Sequence, residues 1–182
     1  TGKLVSEMSD AAGTSWLDVA NRGWSPELVA LSGIQMDQLP TLVEGTDVIG
    51  PILPNLAAEF QLSPTIKIVA GAADNAAAAC GIGALTDGQG FVSLGTSGFL
   101  LAGQSFYSPS PATAVHTFCH AVPNTWYQMG VILSATDSLN WLSRLVGKTP
   151  KALAELMPNT LQKPTGLIFV PYLSGERTPH ND

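Results

Sequence analysis

Residues 67 to 98 read Lys67-Ile-Val-Ala-Gly71-Ala-Ala-Asp74-Asn75-Ala-Ala-Ala-Ala-Cys80-Gly-Ile-Gly-Ala-Leu85-Thr-Asp-Gly-Gln-Gly90-Phe-Val-Ser-Leu-Gly95-Thr96-Ser97-Gly98. An apolar run from Ile66 to Ala70, closed by Gly71, predicts a buried strand. The alanine-rich run from Asn75 to Leu85, apolar on nearly every face, predicts a buried helix. Asp74 stands at the join. A second apolar run, Phe91 to Leu94, turns through Gly95-Thr96-Ser97-Gly98 into a third, Phe99 to Ala102, which predicts a hairpin with hydroxyls in a glycine turn.

The charge map sets this stretch apart. Between Lys67 and Arg144 there is no Lys or Arg, and the acids are Asp74, Asp87 and Asp137 alone. Asp87 lies in Thr-Asp-Gly-Gln, which is turn chemistry at the end of the alanine run. Asp74 admits two readings. It is a helix N-cap whose oxygen accepts backbone N–H bonds, or it is a carboxylate set among glycine and alanines where a ligand can approach closely. The Gly95 to Gly98 turn is similarly open: a plain hairpin turn, or consecutive N–H groups and two hydroxyls forming an anion-binding nest. With no basic side chain nearby in sequence, a phosphate held there would be neutralised by N–H groups, a metal ion or residues from elsewhere. The pairing favours a site, because an isolated acid at a helix start is followed about twenty residues later by a phosphate-shaped turn.

These segments carry a resemblance. Gly71-Ala-Ala-Asp74-Asn75 followed by Ser93-Leu-Gly95-Thr96-Ser97-Gly98 resembles the FGGY family of carbohydrate kinases, and its xylulokinase branch in particular. Met8-Ser-Asp-Ala-Ala-Gly-Thr14 with Trp16-Leu-Asp-Val-Ala20, Phe118-Cys-His-Ala121, and Pro171-Tyr-Leu-Ser-Gly-Glu-Arg-Thr-Pro-His-Asn181 agree with it, nearly end to end. The resemblance implies an α/β, actin-like and ribonuclease-H-like ATPase fold, with mixed sheets flanked by helices. Residues 1–90 would end the sugar-binding N-terminal domain and residues 91–182 would begin the nucleotide-binding C-terminal domain. It implies phosphorylation of a ketopentose, D-xylulose to D-xylulose 5-phosphate, with ATP and Mg²⁺. Asp74 would be the general base, Asp74 and Asn75 would contact the sugar, and Gly95, Thr96 and Ser97 would hold the phosphates. Thr136 and Asn140 fall where glycerol-kinase relatives contact nucleotide, although their residue types differ and packing or capping competes with that role. A kinase for glycerol, gluconate or ribulose, and a non-catalytic sugar-binding module on the same fold, are the alternatives. Relatives are often dimers, so a homodimer is an expectation. The chain starts at Thr1 and stops at Asp182 inside a motif that continues in the family; it is expected to be an interior piece of a longer kinase, inactive alone.

Composition bounds the rest. A chain of 182 residues predicts one domain with a real core. Charged residues make up 12%, against about 25% in an average domain. No apolar stretch approaches the roughly 20 residues of a membrane helix, and no signal-peptide pattern opens the chain. A net charge of -6 argues against a nucleic-acid partner. Cys80 and Cys119 lack metal or redox spacing, which fits the cytoplasm, and Cys80 in its alanine helix is expected to be a buried, inert thiol.

In chain order, Ser15 to Arg22 predicts a short helix, and Ser25-Pro26-Glu27 starts another that Ser32-Gly33 ends. Asp10 and Asp18, without His or further acids at ligand spacing, are turn and surface residues, and no metal site is expected. Pro54 to Phe60 predicts a helix, Val115 to Ala121 and Trp126 to Leu133 two strands, and Ser134 to Val146 a helix with a Leu139, Leu142, Leu145, Val146 stripe. His116 and His120 share one strand face, which two histidines alone do not make a zinc site. Val146-Gly-Lys-Thr149 imitates the end of a P-loop, but position 142 is Leu where glycine is needed. Gly81-Ile-Gly83 imitates a dinucleotide fingerprint from inside a helix, without the third glycine.

Overall fold

The computed structural model describes residues 1–160, 163–164 and 166–182. Its elements run β1 (Val5–Glu7), α1 (Met8–Ala11), β2 (Leu17–Asp18), β3 (Gly23–Trp24), α2 (Pro26–Leu31), β4 (Thr41–Val43), β5 (Val48–Pro51), α3 (Pro54–Glu59), β6 (Lys67–Val69) and α4 (Asp74–Ile82). They continue through β7 (Gly90–Leu94), β8 (Gly98–Gln104), β9 (His116–Cys119), β10 (Trp126–Ile132), α5 (Thr136–Val146) and α6 (Pro150–Glu155). The chain divides into two compact units. The first comprises Thr1–Phe91, Leu101–Pro109 and His116–Gln128, the second Val92–Leu100, Ser110–Val115 and Met129–Asp182. Sheets are mixed: β1 pairs with β4 in parallel, β2 with β3 and β5 with β6 antiparallel, and four strands pair in the order β7, β8, β10, β9.

Local chemistry explains most boundaries. Ser25 caps α2 by accepting the Leu28 N–H at 3.3 Å, with Pro26 at the first helical position. α4 and α5 both stop where glycine takes the left-handed conformation, Gly83 at φ 79° and Gly147 at φ 66°. Thr149 accepts the Ala152 N–H at 3.2 Å and caps α6. Gly147-Lys-Thr149 is therefore a helix end meeting a helix start, not a phosphate loop.

In the first unit, Met8, Ala11, Ala12, Leu17 and Cys119 form a buried cluster with Trp24, Phe118 and Trp126 packed on it. Each large apolar side chain fully buried this way contributes about 1.5–3 kcal/mol. Arg22 joins distant segments: it pairs with Glu44 at 2.6 Å, donates to the Thr125 carbonyl at 3.1 Å and lies 5.5 Å from the Trp126 ring centroid. In the second unit, β10 extends into a hydrogen-bonded meeting with the Pro171–Asp182 segment. Thr178 N–H donates to Val131 O at 3.2 Å, Val131 N–H to the Thr178 hydroxyl at 3.0 Å, and Leu133 N–H to Glu176 Oε1 at 3.0 Å.

Three sequence expectations fail. Residues 15 to 22 are no helix. Asp18 accepts both the backbone N–H and the side-chain amide of Asn21, Arg22 turns at φ 53°, and β2 and β3 form a tight hairpin. Carboxylate-to-backbone turn bonds outcompete a four-residue apolar stripe. The Lys67 to Val69 strand is exposed, not buried, and pairs with β5. The alanine helix buries Ala76 and Ala79 only, so Cys80 is exposed and Ile82 is 60% exposed. An all-apolar helix is ambiguous about its buried face, and small alanines weaken any preference. No helix among the described residues is long and apolar enough to cross a membrane.

Candidate active site

Asp74 is the first residue of α4 and is exposed. The cap conformation falls on Ala73, whose carbonyl accepts the Ala77 N–H at 2.8 Å, and the Asp74 carboxylate accepts the neighbouring Asn75 N–H at 2.7 Å. Asp74 is therefore not the N-cap, while its charge still lies at the positive end of the helix dipole. Asn75 follows, half-buried.

The loop leading to Asp74 is pinned from two sides. Gly71 donates its N–H to Gly45 O at 3.1 Å, and a Cβ on Gly45 would stand 2.6 Å from Gly71 O and 2.8 Å from Ala121 O, so three backbone segments touch there. At the other end, Ala73 N–H donates to the Ser9 hydroxyl oxygen at 2.9 Å. That hydroxyl donates to the buried Glu7 carboxylate at 2.5 Å. Beside the loop lies a concavity of about 400 Å³ lined by Gly45, Gly71, Ala72, Ala77, Cys80 and Ala121.

Buried groups of the same unit are settled structurally. His120 Nδ1 accepts the Val122 N–H at 3.2 Å, so Nε2 carries the proton and donates to Ala84 O at 3.1 Å. Burial lowers its pKa, and both ring nitrogens are occupied. Burial pushes the Cys119 thiol up to about 11. Burial, with the Asp74 charge adding to it, holds the Tyr127 phenol well above its usual value, so Tyr127 stays protonated.

In the second unit, Gly95, Thr96 and Ser97 form the exposed turn between β7 and β8. Gly95 N–H donates to Ser97 O at 2.8 Å. The turn's carbonyls face the start of α5: Gly95 O accepts the Thr136 N–H at 3.0 Å and the Thr136 hydroxyl at 2.7 Å, and Thr96 O accepts the Ala135 N–H at 2.9 Å. Thr136 is thus brought against the turn, while Asn140 lies one helical turn further on, exposed. Gly98, buried behind the turn, has Ala135 Cβ at 3.0 Å from the position a Cβ would take. The α5 N-terminus holds the turn's oxygens, and the Thr96 and Ser97 hydroxyls take no part in those bonds.

Glu7, Ser9 and Gly45 escape sequence reasoning. The one local signal is a carboxylate two residues before a serine; nothing in sequence marks a reach of 64 residues from Ser9 to Ala73.

Comparison with known proteins decides the family. The model of the FGGY family of carbohydrate kinases, N-terminal domain, matches residues 1–81, and the C-terminal domain of the same family matches residues 90–182. The chain belongs to the FGGY family of carbohydrate kinases. As in its FGGY structural relatives, the α/β elements adopt the actin-like ATPase fold. The chain is 45% identical over its whole length to a xylulose kinase from Klebsiella pneumoniae and 44% identical to one from Escherichia coli K12, covering 38% of each of those proteins. A xyloylose kinase from Brucella ovis superimposes with a TM-score of 0.96 at 53% identity, over all of this chain and 38% of that one. The chain thus spans well under half the length of the FGGY relatives it matches.

Proposed function

We propose that this FGGY chain is part of an ATP-dependent kinase that phosphorylates the C5 hydroxyl of D-xylulose. The observation that carries the reading is the exposed Asp74 carboxylate at the head of α4, on a loop fixed at Gly71 and Ala73. An exposed acid on a rigid support can meet a substrate hydroxyl without itself being displaced.

In this mechanism Asp74 accepts the proton of the C5 hydroxyl as its oxygen bonds to the γ-phosphorus, and the bond from that phosphorus to the bridging oxygen breaks, releasing ADP. Base assistance of this kind is worth about 10²–10⁴-fold. Asn75 contacts the sugar beside it. Gly95, Thr96 and Ser97 bind the β- and γ-phosphates through N–H and hydroxyl donors, and Thr136 and Asn140 contact the nucleotide. Phosphoryl transfer depends on positioning and charge stabilisation more than on covalent chemistry. Among the described residues no group of three His, Cys, Asp or Glu side chains could hold a metal. Mg²⁺ would supply charge neutralisation on the phosphates of ATP, where no Lys or Arg is near in sequence.

The reading assigns residues 1–90 to the sugar-binding domain and 91–182 to the nucleotide-binding domain, in a cytoplasmic homodimer whose partners are sugar and ATP. The test is ADP release by a protein of full kinase length carrying these residues, with D-xylulose, ribulose, gluconate and glycerol as acceptors. Xylulose-dependent ADP release is expected; ADP release with none of the acceptors would overturn it.

A further inference from the structure

A buried polar chain that the proposed chemistry does not use ends on the residue before Asp74. Glu7 is 7% exposed and Ser9 2% exposed. Glu7 Oε1 accepts the Ser9 N–H at 2.9 Å, and Oε2 accepts both the Ser9 hydroxyl at 2.5 Å and the Asp10 N–H at 3.2 Å. All three of these donors come from the carboxylate's own strand-to-helix corner, and it fixes the Ser9 hydroxyl proton. With that proton committed, the Ser9 oxygen can only accept toward its other side, where it receives the Ala73 N–H at 2.9 Å. Ala73 has no side-chain cap of its own and is the helix cap by conformation.

We propose that Ser9, oriented by Glu7, is a positioning residue for Asp74. The proposal rests on the reading of Asp74 as the base. The first peptide N–H groups of a helix have no partners within it, and here one of those donors at the entry to α4 is claimed by a side chain 64 residues earlier in the chain. The Ser9 bond fixes the direction in which the chain enters α4 at Ala73, one residue before the Asp74 carboxylate. Ala73 and the two residues before it are alanines and a glycine, with little side chain to lock them. A hydroxyl held by a buried carboxylate supplies that lock, because charge-assisted bonds are short and directional.

The test is made in a protein of full kinase length carrying these residues, by steady-state kinetics of Ser9→Ala, Ser9→Thr, Asp74→Asn and the double variant Ser9→Ala with Asp74→Asn. Misplacing a catalytic group by about 1 Å costs on the order of a hundredfold. Ser9→Ala is therefore expected to lower kcat tenfold to a hundredfold, by that same yardstick, with KM for ATP unchanged. Ser9→Thr, which keeps the hydroxyl, is expected to restore most of the rate. In the Asp74→Asn background the Ser9→Ala change is expected to have no further effect on the residual rate. Ser9→Ala at wild-type kcat, or a loss of equal size in both backgrounds, overturns the positioning role while leaving Asp74 as base. Wild-type turnover by Asp74→Asn overturns the base itself and the positioning with it. Should Ser9→Ala fail to fold, as read by its melting curve, Glu7→Gln replaces it: its single carbonyl oxygen cannot accept on both sides as the two carboxylate oxygens do, so either the Ser9 N–H or the Ser9 hydroxyl meets an NH₂ group, and the same outcomes are read.

Discussion

At Asp74 the chemistry is concentrated in one carboxylate that the fold leaves in solvent. If that oxygen takes the substrate proton, Asp74→Asn should lower kcat by about 10²–10⁴-fold while ATP binding, followed by calorimetry, stays at wild-type strength. The cysteines offer a second check at the same scale. Cys80 is exposed, whereas Cys119 is fully buried with its thiol pushed up to about 11. Iodoacetamide at pH 8 should therefore label one thiol in the native chain and two in denaturant, as counted by mass spectrometry. His120 supplies a pH dependence. Its native pKa lies below the unfolded value near 6.5, so the unfolded state binds the proton first as pH falls. Its contribution to stability is complete above the unfolded pKa and is lost as pH drops through the native one. Urea midpoints should decline below pH 6.5, and less so in His120→Gln.

Between elements, the meeting that decides most is that of the Gly95–Ser97 turn with the start of α5. Thr136 gives the turn two bonds, one from its N–H and one from its hydroxyl. Thr136→Val keeps the first and removes the second, at a cost of about 0.5–1.5 kcal/mol. In a protein of full kinase length the expected result is a KM for ATP raised about twofold to tenfold, with KM for the sugar unchanged. Sequence anticipated the two partners separately. The hairpin from Phe91 to Ala102 was legible as two apolar runs joined by a glycine turn, and α5 as a leucine spacing ended by Gly147. It did not show that the helix start clasps the turn's carbonyls, because bonds to backbone oxygens across 41 residues leave no trace in the residue types of the turn. The same reason hides Ser9 from any reading of Ala73. The segment from Ser15 to Arg22 went wrong in the opposite way: apolar spacing was legible, but Asp18 bonding to Asn21 was the stronger local instruction.

Over the whole molecule, apolar side chains are distributed unevenly between interior and surface. Leu4 and Leu31 are each 85% exposed, Leu145 67%, Leu167 and Ile168 90%. Ile68 and Val69 on β6 and the stripe of α5 also face solvent, although their pattern in sequence is that of buried elements. Pattern reading records what a segment is built to bury, and solvent exposure depends on which neighbours are present; that is why strand and helix assignments survive where the burial expectations fail. Such a surface exceeds the scattered single residues normal for a soluble monomer. The 182-residue chain by itself is expected to self-associate at micromolar concentration and to bind a hydrophobic dye, measured by light scattering and fluorescence. A protein of full kinase length should bind no such dye and should associate no further than the homodimer.

The touching backbones of Gly45, Gly71 and Ala121 carry an evolutionary consequence. Even one methyl at residue 45 would overlap two carbonyl oxygens, so drift at that position is closed off however freely the surrounding surface changes. Deep mutational selection for sugar-dependent growth should find position 45 nearly as intolerant as the acid it helps to seat, though it never meets a substrate.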